Sequence, residues 1–306
     1  MPVLSIVIPA LNEAENLPKV AASIPRAELA ALGWETEIIL VDNASTDDTG
    51  TIARGLGMTV VYQPDRGYGN AYLAGIAAAR GSVIATGDAD CTYPFEDLPR
   101  LLGAFVADRL DFLNTDRLSQ LRIGSMSPHH IGANLVFTGV TKVLFRSPFR
   151  DSQSGMWLFT QDFWRKVSVR SPGMAFSQEI KMAAHVGGFR VAEIPIDYRI
   201  RGGEKKLNSL SDGMRNMSHL FVHRAKVARW QRRARQLEAA TTGNRGYAVR
   251  VPFPRRSRQE TQHLTAVAQA RSVGVTSRPG VSATVVFADA VVPEAVPELD
   301  RQSATG

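Results

Sequence analysis

The chain has 306 residues, which is enough for one large domain or for a domain with an appendage. Hydrophobic residues make up 44% and charged residues 21%, a globular composition that excludes a fibrous or wholly disordered chain. No run approaches the roughly 18 consecutive apolar residues that span a membrane, and we expect no signal peptide at the N-terminus. The single cysteine, Cys91, excludes an internal disulfide and a cysteine-based zinc site. We therefore expect a cytoplasmic protein.

The net charge of +7 is unevenly distributed along the chain. Residues 1–223 are close to neutral, whereas residues 224–235 contain six basic side chains and no acidic one. A nucleic-acid-binding domain more often carries its basic residues on the folded surface. The pattern predicts a basic C-terminal appendage on a neutral domain, and no nucleic acid is expected as a partner.

Strand-like and helix-like segments alternate through the first 110 residues. Short apolar runs rich in β-branched residues predict strands, and the segments between them carry helix signals. The predicted strands cover residues 4–8, 37–41, 58–62 and 82–86, and a helix is predicted over residues 71–79. This alternation indicates a mostly parallel sheet with helices on both faces, so the fold class is α/β.

Beyond residue 110 the alternation is less regular. Helices are predicted over residues 95–107, 131–145, 161–167 and 176–186, and strands over residues 110–113 and 190–200. A helical pattern from about residue 210 to 240 contains the basic run, and the remaining residues show no sustained periodicity. We predict a globular domain over residues 1–225, a basic helical extension over 226–240 and a weakly ordered tail over 241–306.

Acidic residues follow the carboxyl ends of the predicted strands, where open α/β sheets bind ligands. Glu13 follows the first strand, Asp42 the second, and Asp88 and Asp90 the fourth. Asp42, like Asp47, can alternatively be interpreted as a helix-capping residue. Two carboxylates two residues apart would repel each other unless a cation or ligand lies between them, and carboxylate and phosphate oxygens are ligands of Mg²⁺ and Mn²⁺. The aspartate pair therefore predicts a divalent metal that carries a diphosphate.

The glycines at positions 67 and 69 do not form a dinucleotide-binding fingerprint. That motif requires a third glycine where this chain has Tyr72, and it follows the first strand of the sheet. No Walker loop occurs in the sequence either. Neither NAD binding nor ATP hydrolysis is supported.

Eight short motifs, taken in order, resemble those of glycosyltransferase family 2 enzymes of the GT-A fold. They read VIPALNE from Val7, VDNASTD from Val41, GYGNA from Gly67, DAD from Asp88, DR from Asp116, GANL from Gly132, DSQSGM from Asp151, and EIPI from Glu193 followed by RGG. The later motifs are similar to the polyprenyl (dolichyl) phosphate mannose or glucose synthase branch. The resemblance covers roughly residues 3–225, which makes that segment the expected catalytic domain.

The resemblance implies a Rossmann-like GT-A fold that binds a nucleotide sugar. It implies a metal-dependent, inverting transfer of a hexose from a donor of the GDP-mannose or UDP-glucose type to a polyprenyl phosphate. The residues that it assigns to the donor are Pro9, Glu13, Asp42, Asp88 and Lys206.

The implied metal ligands are Asp88, Asp90 and the residue two positions after the second aspartate. That third position is often Gln in this branch, whereas here it is Thr92, whose hydroxyl is a poorer ligand. Either Mg²⁺ or Mn²⁺ is the expected cofactor.

A lipid phosphate acceptor attacks through its own oxygen, so the enzyme needs a cation to bind it rather than a strong general base. Arg117 and Arg201 match family positions of this kind, and we count Asp90, Arg117, Asp151 and Arg201 as the catalytic set. If the acceptor were a hydroxyl group, Asp151 or Glu179 could act as the general base.

Two other interpretations remain at this point. The same fold can act on a soluble hydroxyl acceptor, such as a natural-product or glycan intermediate, or the chain can be a non-enzymatic binding protein with a basic tail. The Asp88 and Asp90 pair speaks against the second.

Residues 212–238 are predicted to form a basic amphipathic helix with Trp230 among arginines. The apolar residues that recur at helical spacing are Met214, Met217, Leu220, Phe221, Ala225 and Ala228. Such a helix can rest on an anionic membrane surface, which would make the protein peripheral on the inner face of the cytoplasmic membrane. The alternatives are a helix packed on the domain with a solvated basic face, or an RNA-binding tail.

Overall fold

The computed structural model describes residues 1–121, 124–201, 217–229 and 232. Within these residues the centre is a seven-stranded sheet of order β3-β2-β1-β4-β6-β5-β7. The strands are β1 (Val3–Ala10), β2 (Glu35–Asp42), β3 (Thr59–Tyr62), β4 (Val83–Thr86), β5 (Phe112–Asp116), β6 (Trp157–Thr160) and β7 (Val191–Pro195). Only β6 runs antiparallel to its neighbours, β4 and β5, so the mostly parallel sheet is confirmed.

Helices connect the strands and pack against the sheet. They are α1 (Leu17–Ser23), α2 (Arg26–Ala31), α3 (Thr49–Gly55), α4 (Tyr68–Ala78), α5 (Leu98–Ala107), α6 (Pro128–Phe145), α7 (Gln161–Lys166), α8 (Ala175–Val186) and α9 (217–229). None of these described helices is long and apolar enough to cross a bilayer.

The sheet is buried on both faces because successive side chains of a strand point in opposite directions. In β1, Ile6 and Ile8 belong to one core and Val7 to the other, and in β2 the same division separates Leu40 from Val41. Each such side chain contributes about 1.5–3 kcal/mol when it is fully buried. The continuous apolar runs of the first half of the sequence follow from this two-sided burial.

The first strand is longer than its sequence predicts, because β1 continues through Pro9 to Ala10. The last pair of β1 with β4 joins Val7 to Thr86, so Pro9 lies beyond that pair and its missing N–H removes no bond to β4. On the other side, the Ala10 carbonyl accepts a hydrogen bond of 2.9 Å from the Asn43 N–H. The strand therefore stays paired with β2 to its end.

The larger differences lie in the second half of the sheet. The sequence pattern does not predict β6, a run of four residues without alternation that cannot be distinguished from a short helical segment. The strand predicted over residues 110–113 is found further along as β5, and the strand predicted over 190–200 is shorter, because β7 ends where its pairing with β5 ends.

The helix α9 packs on the domain. Leu220, His223 and Val227 are buried. Of the residues that the sequence assigned to the apolar face, Leu220 is therefore buried, whereas Phe221 and Ala225 are exposed. The helix also continues across the domain boundary predicted at residue 225, and that boundary stays a prediction. The rest of the predicted basic helix, including Trp230, and the tail from residue 241 lie outside the described residues.

Candidate active site

The predicted site residues converge on one edge of the sheet. The six strands that run in the same direction end there, and β6 begins there because it runs the opposite way. The antiparallel strand therefore brings the residues that precede it, Asp151–Gly155, to the edge that also carries Asp88 and Arg117. A ligand in the crevice above this edge can contact both halves of the sheet.

The loops after β1 and β2 are bound to each other through side chains that receive backbone N–H groups. The Glu13 N–H donates to Thr49 Oγ1 at 2.8 Å, and the Thr46 N–H donates to Asn12 Oδ1 at 2.7 Å. Asn12 adopts a left-handed backbone with φ of 54°, which asparagine tolerates better than most residues. These contacts fix the backbone between Pro9 and Glu13 at the end of the sheet assigned to the nucleotide.

Asp42 ends β2, and its Oδ1 accepts a hydrogen bond of 2.9 Å from the Ser45 N–H. Asp47 receives the N–H groups of Thr49 at 3.0 Å and Ala14 at 3.3 Å. Both aspartates thus order the turn before α3, but neither is its N-cap, which is Asp48 and makes no side-chain capping bond. Asp42 is only partly buried, so its carboxylate can also meet a ligand in the crevice.

Asn43 joins three segments, although the sequence marked it only as part of a motif. Its Nδ2 donates to the carbonyl oxygens of Gln63 and Asp65, both at 3.0 Å, and its Oδ1 accepts the Gly67 N–H at 2.8 Å. A Cβ at Gly67 would lie 2.4 Å from the Pro172 carbonyl oxygen. Gly67 is therefore required for close packing of two backbone segments. This requirement explains the glycine without a dinucleotide-binding role.

Asp88 follows β4 and is the carboxylate with the most unusual surroundings. Its Oδ1 is buried and has no hydrogen-bond partner among the described residues. Burial first, and then the negative charge of Asp90, raise the pKa of Asp88 to about 7. Gly155 lies against it, because a Cβ there would be 3.5 Å from Asp88 Oδ1 and 2.6 Å from the Tyr68 hydroxyl. The backbone thus leaves space beside an unpartnered acidic oxygen.

Asp90 is buried, and each of its oxygens is engaged. The Thr92 hydroxyl and N–H donate to Oδ1 at 2.6 and 3.2 Å, and Arg201 Nη2 lies 2.6 Å from Oδ2. Cys91 between them has a left-handed φ of 63°, which turns the chain so that Thr92 can reach back. Thr92 therefore holds Asp90 in position, and this geometry favours it less as a third metal ligand. Arg201 thus pairs with Asp90 Oδ2, one of the two carboxylate oxygens that could bind a metal.

Arg117 and Asp151 form a buried, bidentate ion pair. Arg117 Nε lies 2.6 Å from Oδ2 and Nη2 lies 2.9 Å from Oδ1, while the Arg117 N–H donates to Oδ2 at 3.1 Å. Burial alone would raise the pKa of Asp151, but the Arg117 charge and its hydrogen bonds hold the pKa below its ordinary value. The guanidinium also lies over the Tyr198 ring, 5.2 Å from its centre. This geometry makes Asp151 a counterion that aims Arg117, and it does not favour a general base.

Sequence reasoning missed the residues that hold the Asp151–Gly155 loop. Asn114 Nδ2 donates to the Asp151 carbonyl at 2.9 Å and to Glu193 Oε1 at 2.7 Å, and the Asp151 N–H donates to the same Glu193 oxygen at 3.1 Å. At the other end, the Gly155 N–H donates to the Tyr93 hydroxyl at 2.6 Å. Glu193 was visible as the first residue of a motif, but no sequence signal pointed to Asn114 or Tyr93.

The aspartate pair fits a divalent cation that is shared with a ligand. No group of three or more His, Cys, Asp or Glu side chains in the described part of the chain is arranged to hold a metal by itself. Mg²⁺ commonly takes one or two protein carboxylates and completes its shell with substrate phosphates and water. The unpartnered Asp88 Oδ1 beside Asp90 supplies such an incomplete site.

The structure thus brings most of the predicted site residues to one crevice. The residues found there are Pro9, Glu13, Asp42, Asp88, Asp90, Thr92, Arg117, Asp151 and Arg201. Lys206, the remaining predicted donor-binding residue, lies outside the described residues.

The sheet order, the aspartate pair after β4 and the arginines across the crevice agree with the GT-A class of glycosyltransferases that the motifs resemble. The sequence model of Glycosyl transferase family 2 matches residues 5–162 of the chain. The chain belongs to glycosyltransferase family 2 and is an enzyme of that family.

Two relatives from Haloferax volcanii indicate which branch of the family the chain resembles. The low-salt glycan biosynthesis hexosyltransferase Agl6 is 36% identical over 225 residues, which cover 72% of this chain and 54% of the relative, so the chain spans about half of that protein. A dolichyl-phosphate hexose transferase is 30% identical over 210 residues, which cover 69% of this chain and 89% of the relative. These names agree with the polyprenyl-phosphate branch to which the later motifs are similar.

Solved structures confirm the GT-A fold. Glucosyl-3-phosphoglycerate synthase from Mycobacterium tuberculosis, in complex with Mn²⁺, uridine diphosphate and glucosyl-3-phosphoglycerate, superposes with a TM-score of 0.59. The match covers 73% of this chain and 80% of the synthase, at 19% sequence identity. At that identity the likeness is one of fold.

Proposed function

We propose that the enzyme transfers a hexose, with inversion and with the help of Mg²⁺ or Mn²⁺, from a nucleotide diphosphate sugar to a polyprenyl phosphate. The observation that carries the proposal is the buried Arg117, held by Asp151 and lying across the crevice from Asp88 and Asp90. An arginine aimed at the crevice is suited to a phosphate, whose oxygens match the guanidinium geometry. The relative named dolichyl-phosphate hexose transferase supports the same acceptor class.

The donor side of the crevice is suited to orient the nucleotide and to receive the diphosphate. Glu13 and Asp42 stand on ordered backbone at the ends of β1 and β2, where they can hydrogen-bond the base and ribose. Asp88 and Asp90 face the diphosphate from the end of β4. The metal, when bound, would stabilise the negative charge that builds up on the departing nucleoside diphosphate. Lys206 remains a predicted donor-binding residue.

The acceptor side is suited to a phosphate rather than to a hydroxyl group. A phosphate oxygen can attack the anomeric carbon directly, whereas a hydroxyl requires a general base. The two bases considered from the sequence are both engaged, since Asp151 binds Arg117 and Glu179 Oε2 accepts the N–H groups of Arg170 and Ser171 at 3.0 and 2.8 Å. A phosphate acceptor needs neither of them. This argues against the soluble hydroxyl acceptor.

A groove beside Arg117 offers room for the chain of an isoprenoid lipid. Its volume is about 500 Å³, and its lining combines apolar and basic side chains. The lining residues are Leu118, Ser119, Leu135, Thr138, Gly139, Lys142 and Arg150. An apolar wall next to cations is the surface that a long-chain phosphate would require.

The decisive experiment incubates the purified protein with Mn²⁺, with GDP-mannose or UDP-glucose, and with a short-chain polyprenyl phosphate, and then analyses the extracted lipid by mass spectrometry. We expect one hexose to be added to the lipid phosphate and none to the matched polyprenyl alcohol, which has the same chain without the phosphate. Transfer to the alcohol, or to soluble sugars but not to the phosphate, would favour the hydroxyl-acceptor alternative. Full activity after treatment with EDTA would contradict the metal requirement.

We further propose that the enzyme works at an anionic membrane surface. Phe221 and Val222 on α9 are exposed, and Lys226 and Arg229 on the same helix are exposed as well. Exposed aromatic and basic side chains on one helix are suited to the interface of an anionic bilayer, where each basic residue contributes about 1 kcal/mol. Because His223 packs on the domain, this contact would use the outer face of α9.

Co-sedimentation with vesicles tests the membrane contact. The native protein should sediment with anionic but not neutral vesicles, and less so at high salt. The double variant Phe221→Ser and Val222→Ser should sediment less, whereas Leu32→Ser, which changes an exposed leucine far along the chain, should behave as the native protein does. Absence of native sedimentation with anionic vesicles would remove the membrane contact.

A further inference from the structure

Lys181 is a fully buried lysine behind the Asp151–Gly155 loop. It lies in α8 and has no exposed surface. Its ammonium group donates to the carbonyl oxygens of Ser152 at 2.9 Å and Ser154 at 2.6 Å, and to the Ser177 hydroxyl at 3.2 Å. Lysine is rarely fully buried, because an ammonium ion loses much hydration energy in the interior. The roles assigned above to donor-, metal- and acceptor-binding residues do not explain why a lysine is buried here.

The two carbonyls that Lys181 binds belong to the loop that joins the two halves of the site. Asp151, at the start of this loop, holds Arg117, and Gly155, at its end, lies against Asp88. The backbone between them is therefore fastened to α8 by Lys181 and by the Ser177 hydroxyl, which donates to the Ser154 carbonyl at 3.0 Å. The Trp157 ring centre, 5.6 Å from the ammonium nitrogen, adds a further contact on the side of β6.

We propose that Lys181 is a positioning residue for the transfer reaction, which fixes the Asp151–Gly155 loop so that Asp151 aims Arg117 at the acceptor phosphate. The proposal rests on the phosphate acceptor proposed above. The charged groups that face the Lys181 ammonium are Asp151, Arg117 and Glu193. Lys181 is thus a second cation behind the Arg117 pair, and its charge adds to the attraction for an anionic acceptor.

Because Lys181 can lose its proton, this role should make acceptor binding depend on pH. Burial, the strongest influence, lowers its pKa to about 7; Asp151 opposes the shift and Arg117 adds to it. A neutral amine keeps two N–H donors for the two carbonyls, so the loop stays bound when the charge is lost. As the pH rises through about 7, Lys181 of the native enzyme should lose its charge and with it the attraction for the anionic acceptor. Its hydrogen bonds to the Asp151–Gly155 loop should remain.

Lys181→Met is the informative variant, because methionine has a similar length and supplies neither the charge nor the hydrogen bonds. The substitution removes the cost of burying an ammonium ion, but it leaves one buried carbonyl without a donor, which is itself destabilising. The Ser154 carbonyl would keep the hydrogen bond of 3.0 Å from the Ser177 hydroxyl, whereas the Ser152 carbonyl would lose its bond from Lys181. Ser177→Ala is the matched control, since it removes the hydroxyl bond to the Ser154 carbonyl but leaves the lysine charge and both bonds from Lys181 to the carbonyls in place.

The experiment measures transfer to a short-chain polyprenyl phosphate, and separately the hydrolysis of the donor by water, from pH 6 to 8.5. At pH 6 the acceptor KM of Lys181→Met should be at least about 10-fold above that of the native enzyme, with hydrolysis within about twofold. This ratio of acceptor KM values should shrink above pH 7, because only the native enzyme then loses a charge. Ser177→Ala should stay within about twofold of native throughout.

The outcomes separate this proposal from the proposed function. If the native enzyme forms no lipid-linked hexose, both fail. If it does, and Lys181→Met has an unchanged acceptor KM or loses transfer and hydrolysis in parallel, Lys181 is only structural. If Lys181→Met does not fold, Lys181→Gln takes its place, because glutamine keeps an amide donor for one carbonyl without a charge. The acceptor KM of Lys181→Gln must then exceed the native value, and this excess must shrink above pH 7. A native-like KM overturns the proposal.

Discussion

The two halves of the crevice differ in how their charges are balanced. On the side of β1, β2 and β4, Asp88 keeps a buried oxygen without a hydrogen-bond partner in the described structure, and its pKa is raised to about 7. On the side of β5, β6 and β7, Arg117 is fully paired with Asp151 before any ligand arrives. The first half thus depends on a ligand to neutralise it, whereas the second carries its own counterion. A site of this kind accepts a cation and diphosphate on one side and presents a fixed cation on the other.

The largest expected effect comes from a substitution in the half of the crevice formed by β1, β2 and β4. Asp90→Asn should reduce transfer by at least about 100-fold, because changes even to residues behind metal ligands cost 10–100-fold. Asp108→Asn, which changes an exposed aspartate at the end of α5, is the matched control. Initial rates at saturating Mn²⁺, with circular dichroism to verify folding, measure this effect. Native-like transfer by Asp90→Asn would show that the aspartate pair does not serve the donor.

The next largest effect comes from substitutions in the half of the crevice formed by β5, β6 and β7. Arg117→Ala should lower the free energy of unfolding by about 3–5 kcal/mol, because it leaves Asp151 buried and unpaired. Arg117→Lys keeps a charge for Asp151 but cannot form the bidentate pair, so we expect a stable protein whose transfer falls by about 10-fold. Donor hydrolysis by water should change much less than transfer. An equal loss of both rates would move Arg117 to the donor side.

Stability against pH tests the unbalanced charge of Asp88. Because its folded pKa is raised, the native state binds a proton more readily than the unfolded state, and stability falls as the pH rises from about 4 to about 7. Asp88→Asn removes this cost and should be more stable than the native protein by roughly 1–3 kcal/mol at pH 8, but not at pH 4. Denaturant unfolding in EDTA at the two pH values measures the difference. The same variant should bind donor and metal less well.

The smallest expected effect concerns the contact between the two halves. Arg201 pairs with Asp90 at 2.6 Å and would have to leave before a cation could bind that oxygen. Removing a partly exposed ion pair is worth about 1 kcal/mol, so Arg201→Gln should bind Mn²⁺ roughly fivefold more tightly without nucleotide, while its transfer falls. Titration followed by electron paramagnetic resonance gives the affinity. Weaker Mn²⁺ binding by Arg201→Gln would contradict the competition.

The two halves also differ in how well the sequence predicted them. In the first half each strand is a continuous apolar run that ends in polar residues, so both the sheet and the positions of Glu13, Asp42 and Asp88 followed from local patterns. In the second half β6 was missed, and with it the reason why Asp151 reaches the crevice. A four-residue strand carries too little periodicity to be recognised, and its direction is set by partners far along the chain.

The sequence by itself determined the α/β class, the family and the acidic residues of the donor side, because these depend on short-range patterns and on the order of motifs. Only the tertiary structure decided which charges are paired. Arg117 with Asp151, Arg201 with Asp90, and Lys181 with two loop carbonyls join residues 27 to 111 positions apart. Such pairs form because burial in a low-dielectric interior makes every unpaired charge costly, and burial is a property of the folded chain. The roles of Asp151 as a counterion and of Thr92 as a support for Asp90 could therefore be seen only in the fold.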